Sequence, residues 1–368
     1  MAGTPALVVF YGGAGESEIE QTVDGARLAA AYDAIEAAQA AGIDRAILVT
    51  DDSQLRADVA VEVDASQGAF HFGRRLAEVV RRHRLGDVIY FGAGSVPLFS
   101  ANDFADIAAR LSHGVAVTNN HYSSDLIAFR ASEPALVAAG EVARDNALAR
   151  ALKDAGVAME SLPRTVATQM DIDAPGDLAV LVLTGGGGLR LRSHLEAAHI
   201  DTSRYEATLP LFTDREAEIV VAGRVGSHAW AYLERDTACR VRLFAEERGM
   251  EAEGRAEAGL ARSLVAFYIE EAGIERFFAA LPELGDAAFI DTRVLLAHKR
   301  IAASREDRFL SDAGDWERIR EPWLREFTQR AAEAAIPVLL SGHSLMSGGL
   351  MALNEYAWLR PNGVPESL

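Results

Sequence analysis

The sequence predicts an α/β protein of two domains, each built on its own largely parallel sheet, and three observations carry that prediction. Short apolar runs of strand length, LVVFY (7–11), RAILVTDD (45–52) and DVIYFG (87–92), alternate with helical stretches through the first half. The same alternation resumes with AEIVVAG (217–223), CRVRLFA (239–245), AAFID (287–291) and IPVLLS (336–341). Between the two series lies TGGGGLR, whose glycines Gly185 to Gly188 are costly to order and read as a flexible joint. The expected domains are therefore residues 1–184 and 185–368.

Composition narrows the functional classes. The chain has 368 residues, of which 49% are hydrophobic and 24% charged, which suits a globular protein too long for one average domain. A net charge of −18 argues against nucleic acid or an anionic membrane surface as partner, because either needs a basic face. Phosphate binding should instead be local, through backbone N–H groups, a few arginines or a metal. Lysine occurs only at Lys153 and Lys299, so nearly every positive charge is a guanidinium. The single cysteine, Cys239, offers no disulfide or zinc pattern and reads as a structural thiol in a reducing cytoplasm. The N-terminus lacks the basic region of a signal peptide, and no run approaches the roughly 18–20 apolar residues of a membrane span. A cytoplasmic protein is expected. The sequence says little about self-association, so a homo-oligomer stays open.

In chain order, the first strand leads into GGAGES. Gly12, Gly13 and Gly15 could present bare backbone N–H groups to an anion, although the pattern is neither a Walker loop nor G-x-G-x-x-G, and Glu16, Glu18 and Glu20 follow. A helix is expected over about Asp24–Ala41, ended by Gly42, then a strand at RAILVTDD and a short strand at VAVEVD (59–64). A helix over FGRRLAEVVRRH, the strand DVIYFGAGSVPLFS and the helix NDFADIAARL come next. VAVTNNHYSSDLIAF then sets six polar side chains, Asn119, Asn120, His121, Ser123, Ser124 and Asp125, within seven positions. A turn needs one or two, so this reads as a binding loop, with Asp125 as a candidate acceptor or metal ligand.

DIDAPGDLAVL (171–181) is the densest signal in the first half. Asp171 and Asp173 alternate along an expected strand end and so face one side, while Pro175 suits the first helical position and Asp177 the first turn. Such a pair could hold a divalent cation that bridges phosphate oxygens, or Asp173 could merely cap the helix. DIDAPGDL resembles the segment that closes the catalytic domain of molybdenum cofactor guanylyltransferase-like nucleotidyltransferases. That resemblance spans roughly residues 5–183. It implies a GT-A type, Rossmann-like domain that transfers a nucleotidyl group from an NTP, with Mg²⁺ at Asp171 and Asp173, to a small phosphorylated acceptor. It departs from the family at two places. Ser95 in GAGSVPLFS stands where the family has a metal-binding Asp, and the glycine-rich loop lacks the family's Arg and Lys.

The second half resembles no family, yet its polar residues gather at strand ends, where open α/β sheets bind ligands. Arg224 follows the first of these strands, Asp291 and Arg293 lie near the third, and His343 and Ser344 follow the last. SGHSLMSGG invites comparison with the elbow G-x-S-x-G, but Met346 replaces the second glycine. Gly342, Ser344 and Ser347 cradling an anion, with His343 and Arg224 completing the pocket, is the better reading. SREDRFLSD (304–312) is charged enough to be a solvated loop. Nucleotidyl transfer by the first domain is the leading expectation. The alternatives are a degenerate first domain with a phosphate- or nucleotide-binding transferase or hydrolase site in the second, or a non-catalytic binding protein.

Overall fold

The computed structural model describes residues 4–12, 15–57, 59–65 and 70–360. Two compact units emerge, one of Met1–Gly15, Asp24–Gln169 and Gly187–His194, the other of Glu16–Val23, Met170–Gly186 and Leu195–Leu368. Residues 170–184, expected with the first domain, group with the second unit and take Asp171 and Asp173 with them.

The first unit holds β1 (Ala6–Tyr11), β2 (Ala46–Thr50), β3 (Glu62–Ala65), β4 (Asp87–Gly92), β5 (Ala116–Thr118), β6 (Leu126–Arg130) and β7 (Met159–Ser161). They form one sheet in the order β3-β2-β1-β4-β6-β5-β7, in which only β6 runs against its neighbours. This is the α/β class expected from the sequence. The central strand β1 is apolar throughout because both faces are covered. Leu7 and Val9 pack with Ile35 of the helix Glu18–Ala40 and Phe104 of the helix Ala101–Ser112. Val8 packs on the other face with Leu76 and Val79 of Phe72–Arg82 and with Leu136 of Glu133–Gly140. Each such side chain contributes about 1.5–3 kcal/mol by leaving water.

Three local expectations change. The helix expected near Asp24 starts at Glu18, because Ser17 N donates to the Glu20 carboxylate at 3.0 Å and closes its first turn. Glu18 and Glu20 therefore complement the positive end of a helix dipole. The short strand expected at 59–64 lies at 62–65, where the inward Asp64 replaces an apolar contact by accepting from Arg75 at 2.6 Å, Arg82 at 2.8 Å and His83 at 2.8 Å. Gly185, expected in a flexible joint, instead caps the helix Pro175–Thr184 at a φ of 65°, with its N–H and that of Gly186 returning to Val182 and Leu181.

The second unit contains β8 (Glu218–Gly223), β9 (Arg240–Ala245), β10 (Ala287–Asp291) and β11 (Val338–Ser341). All are parallel, in the order β11-β10-β8-β9. The chain leaves β8 to one side for β9 and returns to its other side for β10. The carboxyl ends of β8 and β10 therefore form a topological switch point, the place where such sheets open a crevice. Val220, Ala288 and Leu340 on one face pack with Phe277, Phe278 and Phe327 from the crossover helices. Among the described residues, no helix is long and apolar enough to cross a membrane.

Candidate functional site

In the first unit most of the candidate polar groups are committed to the protein itself. Gly15 N–H, expected to face an anion, donates to the buried Asp24 carboxylate at 2.8 Å. Gly12 is exposed, and a Cβ there would meet no described residue within 4 Å, while Gly13 lies outside the described residues. Asn119 braces its loop: its Oδ1 accepts from Asp125 N and Leu126 N, both at 3.1 Å, and its Nδ2 donates to Asp125 Oδ2 at 3.2 Å. Asn120 Oδ1 accepts from Tyr122 N at 3.2 Å, and the Ser124 hydroxyl donates to Asp145 O at 2.9 Å. These bonds explain the density of polar residues in NNHYSSD as loop scaffolding.

Two features near Ser95 were not legible in the sequence. Asp145 approaches the same corner, since a methyl at Gly92 would lie 3.6 Å from Ser95 Oγ and 4.0 Å from Asp145 Oδ2. Tyr90 OH donates to Asp145 at 3.2 Å, and burial, followed by the Asp145 charge, pushes its phenol well above the usual range. Next to Ser95, Val96 has a φ of 51°, a region that β-branched residues avoid and that concentrates at functional turns.

Asp171 and Asp173 flank the buried Ile172, the first half-buried and the second exposed. Asp171 forms only an isolated bridge where a strand end was expected. The capping carboxylate is Asp177, which accepts from Asp173 N and Ala174 N at 2.8 Å each. Burial, together with the Asp173 charge, holds Asp177 well above the usual carboxylate range. Among the described residues, no group of three or more His, Cys, Asp or Glu side chains is arranged to hold a metal ion. A Mg²⁺ that keeps waters and takes phosphate oxygens needs only one or two carboxylates, which this pair could provide.

The second unit brings Arg224, Asp291, Arg293 and His343 together at the ends of β8, β10 and β11. Asp291, fully buried, caps the helix Thr292–Lys299 by accepting from Arg293 N at 3.1 Å. It also accepts from Arg224 Nε at 2.6 Å and Nη2 at 3.2 Å. Gly223 permits this approach: at its φ of 140°, a Cβ would lie 2.2 Å from Asp291 Cβ. Burial alone would raise the Asp291 carboxyl, but the Arg224 guanidinium overrides it and holds the group below its usual range. Arg293 forms a two-pronged pair with Asp312. Asp312 is pushed up to about 6 because burial outweighs the pull of Arg293.

The donors left over are the informative ones. Arg293 Nε–H and Arg224 Nη1 make no hydrogen bond among the described residues, and both guanidinium groups flank Gly342. A methyl there would sit 3.6 Å from Arg293 Nε and 3.8 Å from Arg224 Nη2. Arg308 is half-buried and donates to Ala303 O at 2.8 Å, with no carboxylate partner among the described residues. Burial and the neighbouring Arg293 charge lower its pKa. His343 Nδ1 lies 3.1 Å from Arg224 O. The serines behave differently from the expected cradle, because Ser344 donates to Asp171 O at 2.7 Å and Ser347 to His343 O at 3.3 Å.

SREDRFLSD, expected as a solvated loop, is the helix Arg305–Ala313 with Ser304 as its cap, and it delivers both Arg308 and Asp312. The signal was present in the sequence. Ser304 followed by Asp307 at the third helical position is a capping pattern, and Phe309 and Leu310 supply the apolar face.

No family model and no curated protein matches the chain. Solved structures that are similar to part of it include one from Desulfovibrio desulfuricans G20, described as a nucleotide-diphospho-sugar transferase. It covers 52% of this chain and 94% of its own at 15% identity, with a TM-score of 0.42. The bifunctional IspDF of Campylobacter jejuni covers 45% of this chain at 10% identity and a TM-score of 0.33, and this chain spans 51% of that one. Rv0371c of Mycobacterium tuberculosis H37Rv covers 44% of this chain and 88% of its own at 14% identity and a TM-score of 0.30. With TM-scores below 0.5, these likenesses carry no argument.

Proposed function

We propose that the chain binds a phosphorylated small molecule, a nucleotide or a sugar phosphate, at the carboxyl ends of β8, β10 and β11 in its second unit. The supporting observation is the convergence of Arg224 and Arg293 beside Gly342, each retaining an N–H donor after its carboxylate partner is satisfied. Asp291 and Asp312 fix the two guanidinium groups, so little ordering remains when a ligand arrives. Each charge-assisted bond contributes roughly 1.5–3 kcal/mol, which puts bare phosphate at about millimolar affinity. Isothermal titration of the full chain with inorganic phosphate and the four NTPs tests this. Arg224→Ala should weaken binding at least tenfold, and Gly342→Leu should block it by filling the space between the guanidinium groups. Binding that survives both variants would sink the proposal.

A second reading keeps nucleotidyl transfer, and it is favoured by the two carboxylates Asp171 and Asp173 on either side of the buried Ile172 in the second unit. In that case Asp171 and Asp173 would hold a Mg²⁺ whose contribution is to neutralise the triphosphate. NTP binding that requires Mg²⁺ and disappears in Asp171→Ala and Asp173→Ala would favour it. NTP binding indifferent to both substitutions would reject it.

A further inference from the structure

His343 is aimed by a backbone carbonyl. Its Nδ1 lies 3.1 Å from Arg224 O, and a carbonyl can only accept, so Nδ1 carries the ring proton. Burial and then the Arg224 guanidinium hold the imidazole below its usual range, against the opposing pull of Asp291 and Asp173, so the ring is neutral at pH 7. Nε2 is then a lone pair with no hydrogen-bond partner among the described residues. The cluster thus offers donors, from Arg224 and Arg293, and one acceptor. It also carries the carboxylates of Asp291, Asp312 and Asp173, whose charges oppose a fully deprotonated dianion.

We propose that His343 Nε2 makes this site select oxyanions that carry an O–H, so that protonated phosphate is taken and sulfate is refused. The inference rests on the phosphate site proposed above. Inorganic phosphate, and the monoanion of a phosphate monoester whose second pKa is about 6, retain an O–H and can donate it to Nε2, whereas sulfate has none and sets a lone pair against a lone pair. A site built to accept a hydrogen bond loses that bond when the ligand cannot donate.

The test is titration of the full chain with inorganic phosphate and with sulfate at pH 7 and equal ionic strength. Phosphate should bind at least tenfold more tightly, and His343→Ala should bring the two anions within about threefold of each other. Nitrogen-15 spectra of histidine-labelled wild-type protein supply a readout that needs no variant: His343 should show the Nδ1-protonated tautomer, and phosphate should shift its Nε2 resonance. Equal binding of both anions overturns this inference and leaves the phosphate site standing. A preference that persists in His343→Ala, or an Nε2-protonated tautomer, also overturns it. Binding of neither anion removes both proposals together.

Discussion

Substituting Asp291 by Asn changes one atom's chemistry at the point where the second unit compensates its buried charge. The carboxylate is fully buried, accepts twice from Arg224 and caps a helix through Arg293 N. Asn can keep the cap but cannot balance the guanidinium. Leaving one partner of such a pair uncompensated costs about 3–5 kcal/mol. Asp291→Ala loses the cap as well and should cost about 1 kcal/mol more. The four tryptophans, Trp230, Trp316, Trp323 and Trp358, all lie in the second unit, so their fluorescence in urea reports its transition. Adding Arg224→Met to Asp291→Asn should recover more than about 1 kcal/mol, because no unpaired charge then remains. The pH dependence has a fixed sign. A carboxyl whose folded pKa is depressed contributes stability above its unfolded value, 3.8, and loses it as pH falls through the folded value. The gap between wild type and Asp291→Asn should therefore be constant near neutrality and close in acid. A cost under about 1 kcal/mol at pH 7 would refute the reasoning, since the smallest value expected for such a pair is about three times larger.

Asp312 has the opposite sign: its folded pKa lies above the unfolded one, so its ionised form opposes folding above about pH 6, and that opposition fades as pH falls through 6. Carboxyl carbon-13 titration should find it near 6, and a midpoint below 5 would contradict the balance of burial over Arg293. Tyr205 OH is buried without a hydrogen-bond partner among the described residues, and Tyr205→Phe should change stability by no more than about 0.5 kcal/mol in urea, where a loss above about 1 kcal/mol would reveal a hidden partner. Gly176→Ala should cost about 1–3 kcal/mol in the same assay, because its methyl would meet Tyr205 OH at 2.6 Å and Ser341 Oγ at 2.7 Å. In the first unit, Asp64→Ala leaves the buried Arg75 guanidinium with only the solvent-exposed Glu78 carboxylate at 3.3 Å and should cost about 3 kcal/mol. Amide exchange in the helix Phe72–Arg82 should accelerate about a hundredfold, with the tryptophan transition unmoved.

Periodicity made the architecture legible. Runs such as LVVFY and AAFID are apolar at every position because parallel strands are covered on both faces, and that pattern needs no knowledge of neighbours. Helix ends were legible where a local hydrogen bond sets them, as at Pro175 and Asp177, and were misread where the same code was present but dismissed as charge, as at Ser304 to Asp312. The candidate site was only half legible. Arg224, Asp291, Arg293 and His343 could be picked out because strand ends are where open sheets bind ligands. Their pairing could not be, since Arg224 and Asp291 are 67 positions apart and meet only because β8 and β10 are neighbours. Nor could the sequence say which polar groups remain available. Asn119, Ser124, Ser344 and Gly15 N–H looked free and are spent on partners inside the protein. Local sequence thus determined strands, helices and where polar residues gather, because those depend on a few adjacent residues. Which charges cancel, which donors are left over and which atom of His343 carries its proton were decided by packing, because each is a property of two or more segments brought to within about 3 Å, the reach of a hydrogen bond.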